Sequence, residues 1–488
     1  MLLKIIPFLF ETKKNRIFSF CVMGILIFFI SKEYGFFHDD ILFGSKMGNH
    51  LYNNSIFDWT IPDEFDPGHP PFFGFILALS WKILGHKLWV SHLVMLPFII
   101  GFFYQLFQFI CYFIKDIKHQ FFAFLLIIID PTISSSFVLV NMEIISMFLF
   151  FLIINSIKER KNVIKCIGLL FLSILSIRYM MLFAGIFLFE ISLKLFVQKN
   201  KLKSVLNMQF LLPYFIGCLP GAVFVLWRVL TKGSLTNPNS PWEDYGHLAD
   251  LNYLIRNCIV LIWRYIDFGR IFIMLFILIS IFKFRKKIII SKSLQQLLLV
   301  AIAPIFFILI TILMITNTVG LRYFIVSYIC LNLFAFIILN KFYKSKKILY
   351  SILFVGLLTG NLWVYPKTLS QAWHNTLGHL PYHSLRLEAI NYLNKNNINI
   401  EEVASFFPNY NVLDYIDFKG DKRSFTKFNA KNYYVFYASV YNLTDEEQKT
   451  LANDYSVLKQ FHKFNTTIKI YILNNHDITR RKSDIKPN

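Results

Sequence analysis

Acidic side chains are scarce in this chain, and its cysteines are solitary. Asp and Glu number 29 against 50 Lys and Arg, a formal net charge of +21 over 488 residues. The six cysteines, Cys21, Cys111, Cys166, Cys218, Cys258 and Cys330, each lie alone in or beside an apolar block, and no CxxC occurs. That excludes the spacing of a disulfide framework or a zinc site and leaves packing residues. The first apolar run, Phe18 to Ile30, is followed by "KEYGFFHDD" with no small-residue cleavage site, so it reads as a retained membrane crossing rather than a cleaved leader. No internal repeat of the inverted-repeat transporter kind stands out.

What the chain has instead is apolar mass. It is 56% hydrophobic with 55 Phe, where a soluble domain is about 45–50% apolar. The excess comes in long blocks, which predicts a polytopic all-α membrane protein. The positive charge then reads as short basic loops obeying the positive-inside rule, with the bilayer as partner and no nucleic acid.

Basic clusters at Lys13/Lys14/Arg16, 115–119, 158–161, 198–203, 283–287 and 341–347 set a topology if all are cytoplasmic. An even number of crossings must separate neighbours. About eleven spans satisfy this, near 17–36, 90–114, 120–137, 143–157, 163–177, 180–197, 207–230, 257–282, 295–316, 321–340 and 348–365. The N-terminus is then cytoplasmic, in the plasma (inner) membrane, and the C-terminus extracytoplasmic. The apolar block 70–85 is short for a span and reads as an interfacial helix within a first outer loop, 37–89. A membrane domain, 1–366, is followed by a polar tail, 367–488, that mixes amphipathic helices ("SLRLEAINYLNK", "TDEEQKTLAND") with β-rich runs ("YYVFYASVY", "IKIYIL"). That pattern predicts a small extracytoplasmic α/β domain.

Several patterns fall in one order along the first 340 residues. "HDDILFGSKMGNHLY" follows the first span, "DPGHPPFFGFILALSWKILG" comes next, "IDPTISSSFVLVNMEIISMF" sits on the third and fourth spans, and "GLRYFIVSYICLNLF" opens the tenth. The series resembles the GT-C membrane glycosyltransferases, in the branch of the protein O-mannosyltransferases and the aminoarabinose transferases acting on lipid A. The resemblance implies an integral membrane glycosyltransferase. It would take a sugar from a polyprenyl-phosphate donor to an envelope glycan, lipid or protein acceptor on the extracytoplasmic face, inverting the anomeric centre.

Carried over residue by residue, the resemblance makes Asp39 the general base and Asp40 its partner, with Asp at the second position where Glu is more usual. A carboxylate in hydrogen-bond reach can take the acceptor's proton, and adjacent carboxylates raise one another's pKa. Without the other motifs, the two would read as solvated loop acids. His69, in His69-Pro70-Pro71-Phe72, stands where relatives have His or Lys, at a helix start suited to phosphate. It is the weaker cation, with an unperturbed pKa near 6.5, and a structural turn is the other reading. Glu143 matches a second acid, for acceptor, for Asp39 or for a metal; it also reads as a helix-start acid. Arg322 and Tyr323 match an Arg-Tyr that holds the lipid phosphate, against a reading as interface snorkelling. Arg178, before Tyr179 in the outer turn between the fifth and sixth spans, is a second candidate for that phosphate, with snorkelling the preferred reading. A divalent cation (Mg or Mn) is left open, since some relatives use one. Arg264, Asp267 and Arg270 lie at i, i+3 and i+6 of the eighth span and read as an internal clamp, with a phosphate site, or a helix that starts later than 257, as the alternatives. Two other classes stay open: a transporter or flippase of envelope precursors, and a scaffold or sensor working through the tail.

Overall fold

The computed structural model describes residues 7–235, 237, 246–316, 319–366, 369 and 371–474. The last residues of the tail, 475–488, lie outside it.

Helices dominate the first three quarters of the chain. Polar caps start many of them: Thr12 accepts from Asn15 N, Asn141 from Ile144 N and Asn207 from Phe210 N, each satisfying one of the orphan donors of a helix start. Six helices among the described residues are long and apolar enough to cross a membrane: Lys13–Ser31, Leu88–Phe113, Ile177–Val197, Met208–Lys232, Lys292–Met314 and Leu321–Phe342. Two bent pairs raise the count to as many as eight. The helix Met142–Glu159 joins them in the bundle, carrying Glu143 in its first turn and Lys158 in its last. Leu321–Phe342 is 83% buried where Lys13–Ser31 is 22% buried. The former is therefore the inner post of the bundle, and a residue at its start faces protein rather than lipid.

Two of the predicted spans are not continuous. The third, 120–137, is a pair, Ile117–Ile128 and Pro131–Val138, bent by 77°. Pro131 disfavours α geometry at Asp130, and Asp130 caps the second piece by accepting from Thr132 N at 3.1 Å. The eighth, 257–282, is also a pair, Leu251–Ile266 and Arg270–Ile290, bent by 94°. At this break Phe268 has φ 48° and Gly269 φ 81°. Glycine is required at 269, because a Cβ there would stand 2.0 Å from the Gly356 carbonyl oxygen. Arg264, Asp267 and Arg270 thus lie across a corner instead of along one helix face, and the internal clamp is divided. Arg264 Nη1 lies 3.3 Å from Asp267 Oδ2. Arg270 instead forks onto Asp130, with Nη2–Oδ1 at 2.5 Å and Nε–Oδ2 at 2.8 Å. These partners answer the high cost of charge inside an apolar bundle.

The block 70–85 forms a 13-residue helix, Phe72–Leu84, well short of the about 20 residues a span needs. It packs on the short helix Met47–Asn53, where Gly48 lets the Trp81 ring approach; a Cβ on Gly48 would meet it at 2.8 Å. Between the first span and this pair runs a π-helical turn, Ile41–Lys46.

The tail folds as an α/β unit. Strands β1 (Val403–Ser405), β2 (Thr426–Lys427), β3 (Tyr434–Ala438), β4 (Tyr455–Lys463) and β5 (Thr466–Leu473) form one sheet in the order β2-β1-β3-β5-β4. β1 runs parallel to β2 and β3, and β3, β5 and β4 are antiparallel. The helix Pro381–Lys395 packs on β5 and β4, and the helix Asp445–Asp454 opens with a Thr444/Glu447 capping box. This unit sits on the chain leaving the first span. Phe36 N donates to Ile416 O at 2.9 Å, the Phe37 ring belongs to the domain's own core with Tyr382 and Leu385, and His38 Nε2 meets Val440 O at 3.0 Å. The domain therefore fixes the three residues that precede Asp39.

Candidate active site

His38 holds a left-handed backbone, φ 50°, which few residues other than glycine adopt and His more than most. The turn it makes, clamped by Val440, delivers Asp39 and Asp40 to the start of the Leu321–Phe342 helix. There Arg322 Nη2 meets Asp39 Oδ2 at 2.6 Å, Arg322 Nη1 meets Asp40 Oδ1 at 3.4 Å, and the same Nη1 meets Glu143 Oε1 at 3.3 Å. One guanidinium thus gathers three carboxylates from two separate parts of the chain, the Asp39-Asp40 pair and Glu143. Tyr323, its neighbour, presents its ring to a second cation: Arg178 Cζ lies 4.1 Å from the ring centroid, and Arg178 Nη1 reaches Glu143 Oε1 at 3.4 Å. Planar guanidinium groups suit both kinds of contact.

The acids are not equivalent. The Asp39 side chain is 24% exposed, while those of Asp40 and Glu143 are 4% and 3% exposed. Burial pushes the Asp40 carboxyl well above its ordinary range; Arg322 opposes that shift, and the negative charges of Glu143 and Asp39 add to it. Asp40 Oδ2 and Glu143 Oε2 carry no hydrogen bond. The arrangement is asymmetric, with a solvent-reaching carboxylate in front and two enclosed acids behind.

Of the residues chosen from sequence, Asp39, Asp40, Glu143, Arg322 and Tyr323 come together. The solvated-loop reading of the Asp pair does not hold, and Arg322, with its side chain 7% exposed, does not snorkel. Arg178 was set aside from sequence, yet it is part of the cluster. His69 is half-buried against the Phe43 ring, 5.0 Å between centroids, with Nδ1 enclosed and unbonded. Burial lowers its pKa to about 3, and the positive charges of Arg178 and Arg228 push the same way. It is therefore a neutral imidazole at ordinary pH and not the weak cation expected.

Sequence reasoning missed the fastening of the loop that carries His69. Arg228 Nη1 pairs with Asp66 Oδ2 at 2.8 Å, both side chains almost wholly buried. Lys232 Nζ meets Asp63 Oδ1 at 2.7 Å, and Asn237 Nδ2 donates to the Asp63 and Asp66 carbonyls at 2.7 and 2.8 Å. These partners lie some 170 residues away in the chain, and no local pattern announces them.

A divalent cation does not fit this set well. Each of the three acids turns one oxygen onto Arg322, and no group of three or more His, Cys, Asp or Glu among the described residues is arranged to hold a metal.

The bundle and its capping α/β unit form a mostly helical polytopic membrane fold. Two solved structures share it along nearly their whole length. ArnT from Cupriavidus metallidurans bound to undecaprenyl phosphate superposes with a TM-score of 0.53 at 10% identity, covering 94% of this chain and 98% of that chain. The apo form of the same protein gives 0.52 at 9% identity with the same coverage. No family model and no curated protein sequence matches the chain.

Proposed function

We propose that this protein is an integral membrane glycosyltransferase. It moves a sugar from a polyprenyl-phosphate donor to a cell-envelope acceptor on the extracytoplasmic face of the plasma membrane. The observation that carries this reading is the convergence of Asp39, Asp40 and Glu143 on Arg322, beneath the α/β unit, at one end of a bundle whose fold is also that of ArnT. That ArnT was captured with undecaprenyl phosphate supports a polyprenyl phosphate as the donor's carrier.

In this reading Asp39 is the general base, being the one acid of the cluster that reaches solvent. The acceptor hydroxyl gives its proton to Asp39 as its oxygen bonds to the anomeric carbon. The bond from that carbon to the phosphate oxygen breaks, and its electron pair leaves with the polyprenyl phosphate. Arg322, whose two terminal nitrogens already hold the acids, stabilises the developing phosphate charge as a fixed positive charge. Arg178 adds a second positive charge from across Tyr323. The burial that favours a neutral Asp40 also lowers the negative charge that a phosphate must face. His69 contributes as an uncharged N–H donor, or as part of the turn before the Phe72–Leu84 helix.

Washed membranes given radiolabelled polyprenyl-phosphate sugars test the assignment. Transfer is expected from the wild type and is expected to collapse in Asp39→Asn; transfer untouched by both Asp39→Asn and Asp40→Asn would remove the basis for the assignment. Mass spectrometry of surface glycans from a deletion strain would name the sugar and the acceptor class.

A further inference from the structure

The Met142–Glu159 helix has chemistry at both ends. Glu143 stands in its first turn, and Lys158 and Glu159 end it, about 24 Å away at 1.5 Å per residue. Beside that far end lies a cavity of about 570 Å³. Its walls carry four cations, Lys158, Arg160, Lys165 and Lys194, against a single acid, Glu190.

The acid is already saturated. Lys165 Nζ reaches Glu190 Oε2 at 3.1 Å, Lys194 Nζ reaches Glu190 Oε1 at 3.0 Å, and Tyr214 OH donates to Oε2 at 2.6 Å. The Lys165 side chain is only 2% exposed, so this buried group holds two ammonium ions against one carboxylate. Lys158 rests on the rings of Tyr112 and Phe113, 4.2 and 4.8 Å from their centroids. The neighbouring Glu159 is engaged elsewhere, by Lys161 at 2.6 Å. Arg160 has no ion pair among the described residues. Basic residues at this end of a helix are what the positive-inside rule supplies. That rule places them at this face but does not by itself gather them around a half-open cavity whose charged lining carries an excess of three positive charges. Lys165, the one buried cation of the lining, is paired with Glu190; the like charges gathered around the opening repel one another, and an anion would offset that repulsion.

The geometry points to a second binding site, on the membrane face opposite the Asp39–Arg322 cluster, for the phosphate group of an anionic ligand. Arg160 and Lys158 at the rim supply charge-assisted donors for phosphate oxygens. Phe189 and Phe210 also line the cavity, the Phe210 ring carrying Lys194 Nζ at 4.1 Å and Lys165 Nζ at 5.5 Å from its centroid, and give it an apolar wall suited to the glycerol region of a lipid. The same phosphate chemistry could come from an anionic phospholipid of that leaflet or from a soluble phosphate.

Two binding arms separate those sources, using the purified full-length protein. In one, native mass spectrometry compares retention of phosphatidylglycerol with that of zwitterionic phosphatidylcholine. In the other, inorganic pyrophosphate is titrated with a thermal-shift readout. Both arms compare the wild type with Lys158→Gln/Arg160→Gln, two exposed positions whose exchange leaves the fold intact, and with Arg322→Lys. The expected result is a loss of about tenfold or more in affinity in the double variant, as for removing a charge-assisted contact, with Arg322→Lys binding like the wild type. A loss for phosphatidylglycerol assigns the lipid source, and a loss for pyrophosphate the soluble one. Equal binding by wild type and double variant in both arms, or a loss that follows Arg322→Lys instead, would overturn the proposal.

Discussion

Arg322 donates to Asp39 across 2.6 Å, joining residues 283 positions apart in the chain. The same guanidinium reaches Asp40 and Glu143, so removing it leaves enclosed acids facing one another. Arg322→Met is expected to lower stability by about 3–5 kcal/mol, as breaking a buried pair does. Arg322→Lys keeps the charge without the fork and is expected to lose much less. Chemical or thermal denaturation of the purified variants checks both.

Asp39 and Asp40 should respond differently to the same isosteric change. Asp39→Asn removes the acceptor of a proton and is expected to lower transfer by about 10²–10⁴-fold with little change in melting temperature. Burial raises the pKa of Asp40, so asparagine resembles the form the fold prefers. A raised carboxyl pKa gives stability that is present at low pH and lost as pH rises through the folded value. Asp40→Asn should therefore retain its fold and lose less stability than the wild type when the pH is raised. Melting temperatures across a pH series measure this.

The loop bearing His69 hangs on the Asp66–Arg228 pair. Arg228→Met should cost about 3–5 kcal/mol by stranding Asp66, and should speed proteolytic cleavage within 54–68. Adding Asp66→Asn should recover part of the loss. A double-mutant cycle with no coupling between the two positions would show that the pair does not hold the loop.

Four histidines line the seam between the first span's exit and the α/β domain: His38, His379 and His383 are buried and His374 is half-buried. His38 contacts Val440 and lies near His374, 5.3 Å between centroids. His379 stacks on Phe37 at 4.8 Å, and His383 on Tyr34 at 5.0 Å. Burial lowers the pKa of each, that of His379 to about 4. Nearby positive charges push the same way: Arg322 on His38 and His374, Arg264 on His374, and Arg386 on His383. Asp39 and the Val440 carbonyl oppose the shift at His38, and the Thr376 and Trp373 backbone opposes it at His379. A lowered histidine pKa gives stability that is present above the unfolded value, near 6.5, and lost as pH falls toward the folded one. Docking of the domain should therefore weaken between pH 6.5 and 4, by about 1.4 kcal/mol per pH unit for each titrating histidine. Limited proteolysis at the junction near Tyr365, at pH 7.5 and 5, reads it out, and His379→Gln/His383→Gln should flatten the response.

Much of the site could be read from the sequence because its signals fall in one order along the chain. An acidic pair directly after an apolar run, and an arginine directly before one, read alone as solvated loop acids and an interface arginine; the order of motifs that resembles a known family singled them out. The α/β tail was legible from alternating runs such as "IKIYIL", which became β5. Arg178 was not, because its meaning lies in a contact with Tyr323, far along the chain. The breaks at Asp130-Pro131 and Phe268-Gly269 had local signals, a proline and a glycine, which hydropathy alone passes over. The neutral state of His69 follows from burial, and burial is a property of the assembled fold.

The central claim is that the Arg322 cluster receives a polyprenyl phosphate, and its most direct test is binding of undecaprenyl phosphate to the purified protein. The wild type should retain the lipid through native mass spectrometry. Arg322→Lys and Arg178→Gln should each lose it by about tenfold or more, while Lys158→Gln/Arg160→Gln retains it. Equal retention by the wild type and both arginine variants would contradict the account.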